Sequence, residues 1–373
     1  MTPIRVLQIF GEPFSNGGQD SYIMNMYRHI DRERVQFDFF TPFTIRNPAM
    51  QAEVEALGGT MSAAGHPFGE DNPRYFKEAV AAFLAEHRSP IVHFHSGSTY
   101  ALMVGSRLAR KNGAKHVIVH SHCGGFDNLR YRLVRLLSRR PLMTYPTHYF
   151  ACSHLAARWK YPAPIIDGKR YTVLKNAVDT QVLHLDEALR ADCRRQLGVT
   201  EDKQVVGHVG RFALQKNHRF LLEVFAALLE LEPQARLVLA GEGELLDATL
   251  RQAEALGVDD RMQYLGIRRD VAALMNAFDV FLLPSFFEGL PVVGIEAQAT
   301  GLPVVTSTGV TPELPIPDLA TYLPLELSPR EWAQQILEAA RQPRRNTTRE
   351  MIDAGYDVRV AARILQEKYE EMT

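Results

Sequence analysis

The sequence has few cysteines and no closely spaced pair of them. Cys123, Cys152 and Cys193 lie far apart, and no C-x-x-C motif occurs. This pattern argues against a disulfide framework and against a structural zinc site. The chain also lacks an apolar run near the roughly 18 residues that a membrane-spanning helix needs, and its first residues lack the apolar core and cleavage site of a signal peptide. We therefore expect a cytoplasmic protein in a reducing compartment.

Neither sign of charge predominates in the sequence. The formal net charge is −1, so no overall field attracts nucleic acid, and we expect no nucleic-acid partner. Lysine is scarce, with nine lysines among the 42 basic residues. A lysine at a motif position therefore carries more information here than usual.

The 373 residues exceed the usual size of one compact domain, so two domains are expected. Short apolar runs recur, separated by segments with helical periodicity such as 220–231 and 245–256. Because the runs are nearly continuous rather than alternating, they predict strands covered on both faces, as in parallel α/β sheets. The predicted strands are residues 5–10, 35–41, 91–95, 116–120, 149–153 and 171–174, then 205–209, 236–240, 262–265, 280–284 and 303–307.

The polar stretch 176–202, which has no strand pattern, predicts the domain boundary. We expect an N-terminal domain over residues 1–180 on the acceptor side and a C-terminal domain over 181–355 that binds the donor. Residues 356–373 are expected to form a helix that packs back on the first domain. The fold class is predicted as α/β, with two doubly wound, Rossmann-like domains facing a cleft.

Two carboxylates flank the start of a predicted helix after the strand 280–284. Glu288 precedes Gly289, Leu290 and Pro291, and Glu296 follows eight residues after Glu288. Proline suits the first turn of a helix, and the N-terminus of a helix favours anions. Carboxylates accept hydrogen bonds from hydroxyl groups. The segment therefore suits a sugar diphosphate, although a surface loop and an unrelated glutamate would give the same spacing.

Two cations follow the strand 205–209. Arg211 lies at its end and Lys216 at the start of the next helix, which Asn217 could cap. An arginine fork and a lysine point charge can bind two phosphates, but two solvated loop cations are the simpler explanation. Gly17-Gly18 and Gly241-Glu242-Gly243 are further strand-to-helix turns, where glycine lets backbone approach a ligand closely.

Histidines end two strands of the first domain. They are His93 and His95, then His120 and His122. A histidine at this edge could bind a substrate hydroxyl or relay a proton. Four histidines could also suggest a metal. We expect His120 and His122 to lie on opposite strand faces, with no carboxylate nearby, and therefore expect no metal site.

Residues 128–140 contain five arginines and no acidic residue. As a helix, the segment would place its leucines on one face and Arg132, Arg135 and Arg139 on another. This arrangement suits the surface of an anionic membrane. An ordinary amphipathic helix docked on its own domain is the alternative.

Taken together, these motifs resemble glycosyltransferase family 4, whose members are retaining enzymes of the GT-B architecture. The order of the motifs is that of the family, from Gly-Gly after the first strand to Glu-Gly-Leu-Pro and the second glutamate, and the resemblance covers residues 4–307. The first domain looks like that of the exopolysaccharide-synthesis members. Two residues depart from the family pattern: Asp20 stands where a glutamate is usual, and Ala177 where a glycine is usual.

The resemblance implies roles for individual residues. Arg211 and Lys216 would bind the donor phosphates and offset charge on the leaving group, Glu288 would hold sugar hydroxyls, and Glu296 would hold the ribose. His120 would lie near the donor sugar, with His122 as the alternative. The remaining donor-binding residues that it implies are Gly17, Gly18, Gly241, Glu242, Gly243, Gly289 and Leu290.

The function implied is transfer of a sugar from a nucleotide-sugar donor, by family frequency a UDP-sugar, to a lipid-linked or glycan acceptor. No metal or other cofactor is expected, which agrees with the absence of a D-x-D motif. A nucleotide-sugar 2-epimerase and a non-catalytic partner subunit of the same fold stay open. A glycosidase is disfavoured, since it needs no Arg/Lys pair at a strand end.

Overall fold

The computed structural model describes residues 2–15, 17–69, 72–122 and 129–373, apart from the side chains of residues 129–132 and 135. The described chain divides into two compact units. The first comprises Met1–Ala177 together with Val358–Thr373, and the second comprises Val178–Asp357.

The first unit contains a seven-stranded parallel sheet in the order β3-β2-β1-β4-β5-β6-β7. The inner strands are buried on both faces. In β4, for example, every residue is buried. This burial explains their continuous apolar runs. The strands are β1 (Ile4–Phe10), β2 (Val35–Phe43), β3 (Thr60–His66), β4 (Ile91–His95), β5 (His116–Ser121), β6 (His148–Ala151) and β7 (Thr172–Val173).

Helices connect these strands, and the last helix of the chain belongs to the same unit. That helix, α15, places Val358, Leu365 and Tyr369 in one core cluster with Ile23 and Phe37. The helices of this unit are α1 (Gly18–His29), α2 (Pro48–Ala56), α3 (Asn72–Glu86), α4 (Thr99–Lys111), α5 (Leu129–Thr144), α6 (His154–Lys160), α7 (Ala163–Asp167) and α15 (Val358–Glu370).

The second unit contains a six-stranded parallel sheet in the order β10-β9-β8-β11-β12-β13. Its strands are β8 (Val205–Val209), β9 (Arg236–Ala240), β10 (Met262–Tyr264), β11 (Val280–Leu283), β12 (Val304–Ser307) and β13 (Ala320–Leu323). Its helices are α8 (Glu187–Gln196), α9 (His218–Leu231), α10 (Leu246–Leu256), α11 (Val271–Ala277), α12 (Val292–Ala299), α13 (Pro329–Ala340) and α14 (Thr348–Asp353).

The predicted fold class is confirmed: the chain is α/β, with two parallel, Rossmann-like sheets. Two strands were missed, β3 and β13, and each lies at the edge of its sheet. Six of the seven residues of β3 have exposed or partly exposed side chains, and only the last residue of β13 is buried. An edge strand does not need a continuous apolar run, so this criterion finds only some edge strands, and it found β7 and β10 but not β3 and β13. Among the described helices, none combines the length and the apolar character needed to cross a membrane.

Candidate functional site

Lys216 and Glu288 form a direct ion pair in the second unit. Lys216 ends the 3₁₀ turn Leu214–Lys216 that follows β8, and Glu288 lies in the loop after β11. The Lys216 Nζ atom lies 2.6 Å from Glu288 Oε1, and the side chains are 14% and 10% exposed. Ser285 also donates to Glu288 Oε1, at 3.2 Å. The structure thus joins one predicted cation and one predicted carboxylate at a single, largely buried point.

This pair lies where the strand order of the sheet reverses. β8 is the first strand of the unit, β9 and β10 continue on one side of it, and β11 to β13 continue on the other. The crevice at such a switch point, outside the carboxyl ends of the strands, is where open α/β sheets bind ligands. Two bonds tie the loops there: Phe286 N donates to Gln215 O at 2.8 Å, and Gln215 Nε2 donates to Phe287 O at 3.0 Å.

Asn217 occupies the N-cap position of α9 but makes no capping bond with its side chain, so the prediction that its side chain caps the helix is wrong. Its backbone is left-handed instead, with φ 56° and ψ 47°. Asparagine tolerates this conformation better than most residues. Asn217 therefore serves the sharp turn that directs Lys216 to Glu288.

Glu288 is held from its other side by the loop after β12. Its backbone N–H donates to Gly309 O at 3.1 Å, and it forms an isolated bridge with Val310. A Cβ atom on Gly309 would lie 2.1 Å from Phe286 O, so this close approach requires glycine. Gly309 was not predicted from the sequence, although its position two residues after a strand could have signalled a tight loop.

Arg211 is more exposed than Lys216. It pairs with Glu244 at 3.0 Å, and the two side chains are 72% and 56% exposed. The Lys216 stem passes Gly210, the residue before Arg211, since Lys216 Cε would lie 3.3 Å from a Cβ atom there. The two cations thus belong to one loop, one at its surface and one in its interior.

The Gly241-Glu242-Gly243 turn packs backbone to backbone on that loop. A Cβ atom on Gly241 would lie 2.0 Å from Gly210 O, and one on Gly243 would lie 2.4 Å from Phe212 O. Phe212 N donates to Glu242 O at 2.8 Å. Both glycines also have positive φ angles, 137° and 155°. The fold itself therefore requires these glycines, whatever ligand the loop contacts.

Glu296 lies in the short helix α12, which begins directly after Pro291. Burial raises the pKa of its carboxyl group to about 7, and no neighbouring charge or hydrogen bond offsets that effect. Gly289 and Leu290 are buried beside Glu288. The Glu296 side chain is partly exposed, and a carboxylate without a partner from the described residues is a ready acceptor for hydroxyl groups of a ligand.

In the first unit, Gly17 caps α1 and Gly18 begins it. A Cβ atom on Gly18 would meet none of the described residues within 4 Å, and one on Gly17 would make only ordinary contacts with them. Neither residue has a positive φ. Unlike Gly241 and Gly243, these two glycines are not required by the packing, so the space in front of their backbone is open to a ligand.

Asp20 braces the same turn. It accepts from Ser15 N at 2.9 Å and from Gly17 N at 3.3 Å. Burial raises its pKa to about 6, although these hydrogen bonds favour the ionised form. The departure from the family pattern at this position therefore gives a loop brace in this chain.

Glu12 is a candidate that the sequence analysis missed. It follows β1, and its Oε1 atom accepts from Ser96 Oγ at 2.9 Å and from Gly97 N at 3.0 Å, just after β4. Its Oε2 atom is buried without a hydrogen-bond partner among the described residues. Burial raises its pKa to about 7. β1 and β4 flank the switch point of this sheet, so the Gly-Glu-Pro sequence at a strand end was the available signal.

The strand-end histidines are closer together than predicted. His120 and His122 stack with ring centroids 4.0 Å apart, so the prediction that they lie on opposite faces is wrong. Residues i and i+2 of a strand share a face. His120 is fully buried, whereas His122 is partly exposed. One nitrogen each of His93, His95 and His120 lies within 4.8 Å of the others, a spacing that could hold a metal ion.

Burial lowers the pKa of all four histidines, that of His122 to about 3, so the rings are neutral at neutral pH.

Of the predicted membrane-facing residues, Arg139 is exposed in α5, and the side chains of Arg132 and Arg135 lie outside the described residues. Leu133, Leu136 and Leu137 on the same helix are 56%, 66% and 68% exposed.

Two protein-family models match this chain. Residues 17–177 match the family described as glycosyl transferase 4-like domain, and residues 203–342 match glycosyl transferases group 1. EpsF of Bacillus subtilis, which is named as a glycosyltransferase, is 32% identical over 95% of this chain and 93% of its own. The Escherichia coli UDP-Gal:α-D-GlcNAc-diphosphoundecaprenol α-1,3-galactosyltransferase is 29% identical over 60% of this chain and 59% of its own.

Solved structures share the fold at lower sequence identity. HepE of Anabaena, crystallised in complex with UDP-glucose, superposes with a TM-score of 0.71 at 19% identity, over 98% of this chain and 99% of that one.

Proposed function

This chain belongs to the glycosyltransferases that combine a glycosyl transferase 4-like domain with a group 1 domain. We propose that it is a retaining enzyme that takes a sugar from a nucleotide sugar. The acceptor hydroxyl would replace the nucleoside diphosphate at the anomeric carbon, with the configuration kept. We propose a lipid-linked or glycan acceptor in polysaccharide synthesis. EpsF and the galactosyltransferase that names a diphosphoundecaprenol acceptor support this choice.

The observation that carries the proposal is the Lys216–Glu288 pair at the switch point of the second sheet. A cation and a carboxylate 2.6 Å apart match a ligand that presents a phosphate next to hydroxyl groups. Lys216, with Arg211 at the surface of the same loop, would stabilise charge developing on the departing diphosphate. Glu288 would orient the sugar. Preorganised charges of this kind contribute through electrostatic stabilisation of the transition state.

The backbone beside the pair completes the proposed donor site. Gly289 and Leu290 would add contacts to the sugar, and the turn Gly241-Glu242-Gly243 would border the phosphates. The donor roles of Gly17, Gly18 and His120 in the first unit belong to the same proposal. The open space in front of Gly17 and Gly18 supports their part in it.

A panel of nucleotide sugars tests the proposal. We expect a UDP-sugar to raise the melting temperature of the protein, since UDP and UDP-glucose bind the similar HepE. The stabilising donor should then be transferred to a polyprenyl-diphosphate sugar, and proton NMR of the product should show the donor's anomeric configuration. Inversion, or stabilisation by no nucleotide sugar, would contradict the proposal.

Glu296 predicts how nucleotide binding depends on pH. Its pKa of about 7 in the free protein means that the carboxyl group is mostly protonated below pH 7 and ionised above it. If the ribose hydroxyls require the ionised form, the affinity for UDP should rise about tenfold from pH 6 to pH 8. Calorimetric titration measures this change, and Glu296→Gln should remove it. The variant also controls for titration of the nucleotide phosphate. An equal pH dependence in both proteins would exclude Glu296 from the site.

The helix α5 supports a further part of the proposal, attachment to the cytoplasmic face of an anionic membrane. Three leucines exposed within about one turn, with Arg139 beside them, form an amphipathic surface.

Changing Arg132, Arg135 and Arg139 together to glutamate should therefore abolish sedimentation with vesicles that contain anionic lipid. A matched control exists in Lys77, Arg107 and Lys111, which surround a separate cavity of about 310 Å³ between α3 and α4. Their change to glutamate adds the same charge and should leave sedimentation unchanged. Release by the control triple, or retention of the α5 triple, would refute a membrane surface on α5.

A further inference from the structure

Six buried or partly buried side chains of the first unit form one continuous series of hydrogen bonds. The series runs His122, His95, Gln8, Tyr369, His93, His120, and it links three adjacent strands and the C-terminal helix. In the first half, His122 Nε2 lies 2.9 Å from His95 Nδ1, and His95 Nε2 lies 2.8 Å from Gln8 Oε1. Gln8 Nε2 lies 3.1 Å from Tyr369 Oη and so joins the two halves. In the second half, Tyr369 Oη lies 2.7 Å from His93 Nδ1, and His93 Nε2 lies 3.2 Å from His120 Nδ1.

The glutamine sets the direction of the first half of this series. The carbonyl oxygen of Gln8 can only accept, so His95 must carry its proton on Nε2. A neutral His95 then has a lone pair on Nδ1, which accepts from the Nε2–H of His122. Both histidines on this side are therefore Nε2–H tautomers.

The amide nitrogen of Gln8 sets the direction of the second half. It donates to Tyr369 Oη, so the phenol proton is left for His93 Nδ1, the other atom within reach. A neutral His93 then carries its proton on Nε2 and donates it to His120 Nδ1. His120 must in turn be protonated on Nε2, an atom that is buried without a hydrogen-bond partner among the described residues.

We propose that Gln8 and Tyr369 are positioning residues that hold His120 as a hydrogen-bond donor through Nε2–H. This inference deepens the proposed function and rests on it, since the acceptor of that bond would be an oxygen atom of the nucleotide-sugar donor. The Tyr22 ring packs edge-on against the His120 ring, with centroids 5.2 Å apart, and both side chains are buried, so a ligand would have to displace part of the surrounding packing to reach His120 Nε2.

The same series opposes a proton relay between His122 and His120. A histidine or a phenol can pass a proton by accepting one and releasing another, but an amide does not do so readily. Gln8 therefore interrupts proton transfer between His122 and His120 while keeping both halves oriented. Depressed pKa values, caused first by burial, keep the four rings neutral, as the assignment requires. His120 would thus act as a donor and not as a general base.

Histidine tautomers can be measured without any enzymatic activity. In the protein labelled with ¹⁵N at histidine, two-bond ¹H–¹⁵N spectra should show His93, His95, His120 and His122 all as neutral Nε2–H forms. Nδ1–H forms of His93 and His120 would show that the series runs the other way and would overturn the proposal. Stoichiometric zinc binding that shifts all of these resonances would overturn it too, because ligation would replace the hydrogen bonds.

A variant of the C-terminal helix tests the consequence for catalysis. Tyr369→Phe removes the donor to His93 Nδ1, so His93 and His120 can reverse their protons. We expect kcat to fall about tenfold with less than a twofold change in the KM of the donor, the effect of one hydrogen bond. Tyr161→Phe is the control, since this fully buried hydroxyl bonds to Val119 O and Phe150 O and has no part in the series.

The double variant separates positioning from a general structural effect. His120→Gln puts an amide N–H near the position of Nε2 without needing the series for its orientation. Tyr369→Phe should therefore change kcat less than twofold in that background. A tenfold fall there, or an equal fall in Tyr161→Phe, would mean that Tyr369 only stabilises the fold. If no nucleotide sugar is a substrate, the tautomers alone decide the inference, so its failure is distinct from that of the proposed function.

Discussion

Replacing Lys216 with alanine is expected to lower turnover about a hundredfold. The ammonium group is largely buried and fixed by its bond to Glu288, so it is preorganised for charge that develops on a phosphate. Removing one such preorganised group costs about 10²–10³ in turnover in comparable sites. Steady-state transfer with the donor found in the panel measures the effect on kcat.

The stability of the same variant separates catalysis from folding. Because the pair keeps some contact with solvent and Ser285 still donates to Glu288, we expect a loss of only about 1–2 kcal/mol in the free energy of unfolding. Glu288→Gln, which keeps the hydrogen-bond acceptor but removes the counter-charge of Lys216, should also lose turnover, with a loss of stability similar to that of Lys216→Ala. Arg330→Ala, which breaks an exposed pair with Glu230, is the control and should keep full turnover. Normal turnover in both site variants would remove the proposed donor site.

The inner strands and the sites at their ends could be predicted because one physical rule governs both. A parallel strand covered on two faces needs a continuous apolar run, and the polar residues that follow such runs meet at one edge of the sheet. Lys216 and Glu288 are 72 residues apart in the chain, yet the family resemblance assigned both to one donor, and the structure joins them.

The remaining parts of the site depend on contacts that leave no local pattern. Gln8 is one polar residue within an apolar strand, and Tyr369 lies in a helix 361 residues away, so only the folded chain brings them together. The roles of Gly241 and Gly243 could be suspected from sequence, but the reason, crowding against Gly210 and Phe212, is a tertiary contact. In the same way, only the folded chain shows that Arg211 lies at the surface, where it pairs with Glu244.

The ion pairs of Asp279, at the opposite end of the second unit's sheet from Glu288, lead to a prediction of a large effect on stability. Asp279, just before β11, accepts from Arg190 at 2.6 Å, from Arg194 at 3.2 Å and from the backbone N–H of Val205 at 2.7 Å. Arg194 is 1% exposed. Burial lowers the pKa of the neighbouring Arg344 to about 10, and the positive charge of Arg190 lowers it further. The negative charge of Asp279 opposes both effects. Removing the carboxylate would leave Arg190 and Arg194 with a weaker counter-charge, the exposed Glu201, at 3.9 Å and 3.5 Å.

We therefore expect Asp279→Ala to lower the free energy of unfolding by about 3–5 kcal/mol, the usual result of breaking one side of a buried ion pair. Urea denaturation measures the loss. Glu230→Ala, which breaks an exposed pair in the same unit, should cost less than about 1 kcal/mol. The folded fraction of Asp279→Ala should keep normal donor affinity, because Asp279 precedes β11 whereas Glu288 follows it. Equal losses in the two variants would show that the buried charges are neutralised in another way, and a loss of donor affinity at full folding would show that the two ends of the strand are coupled.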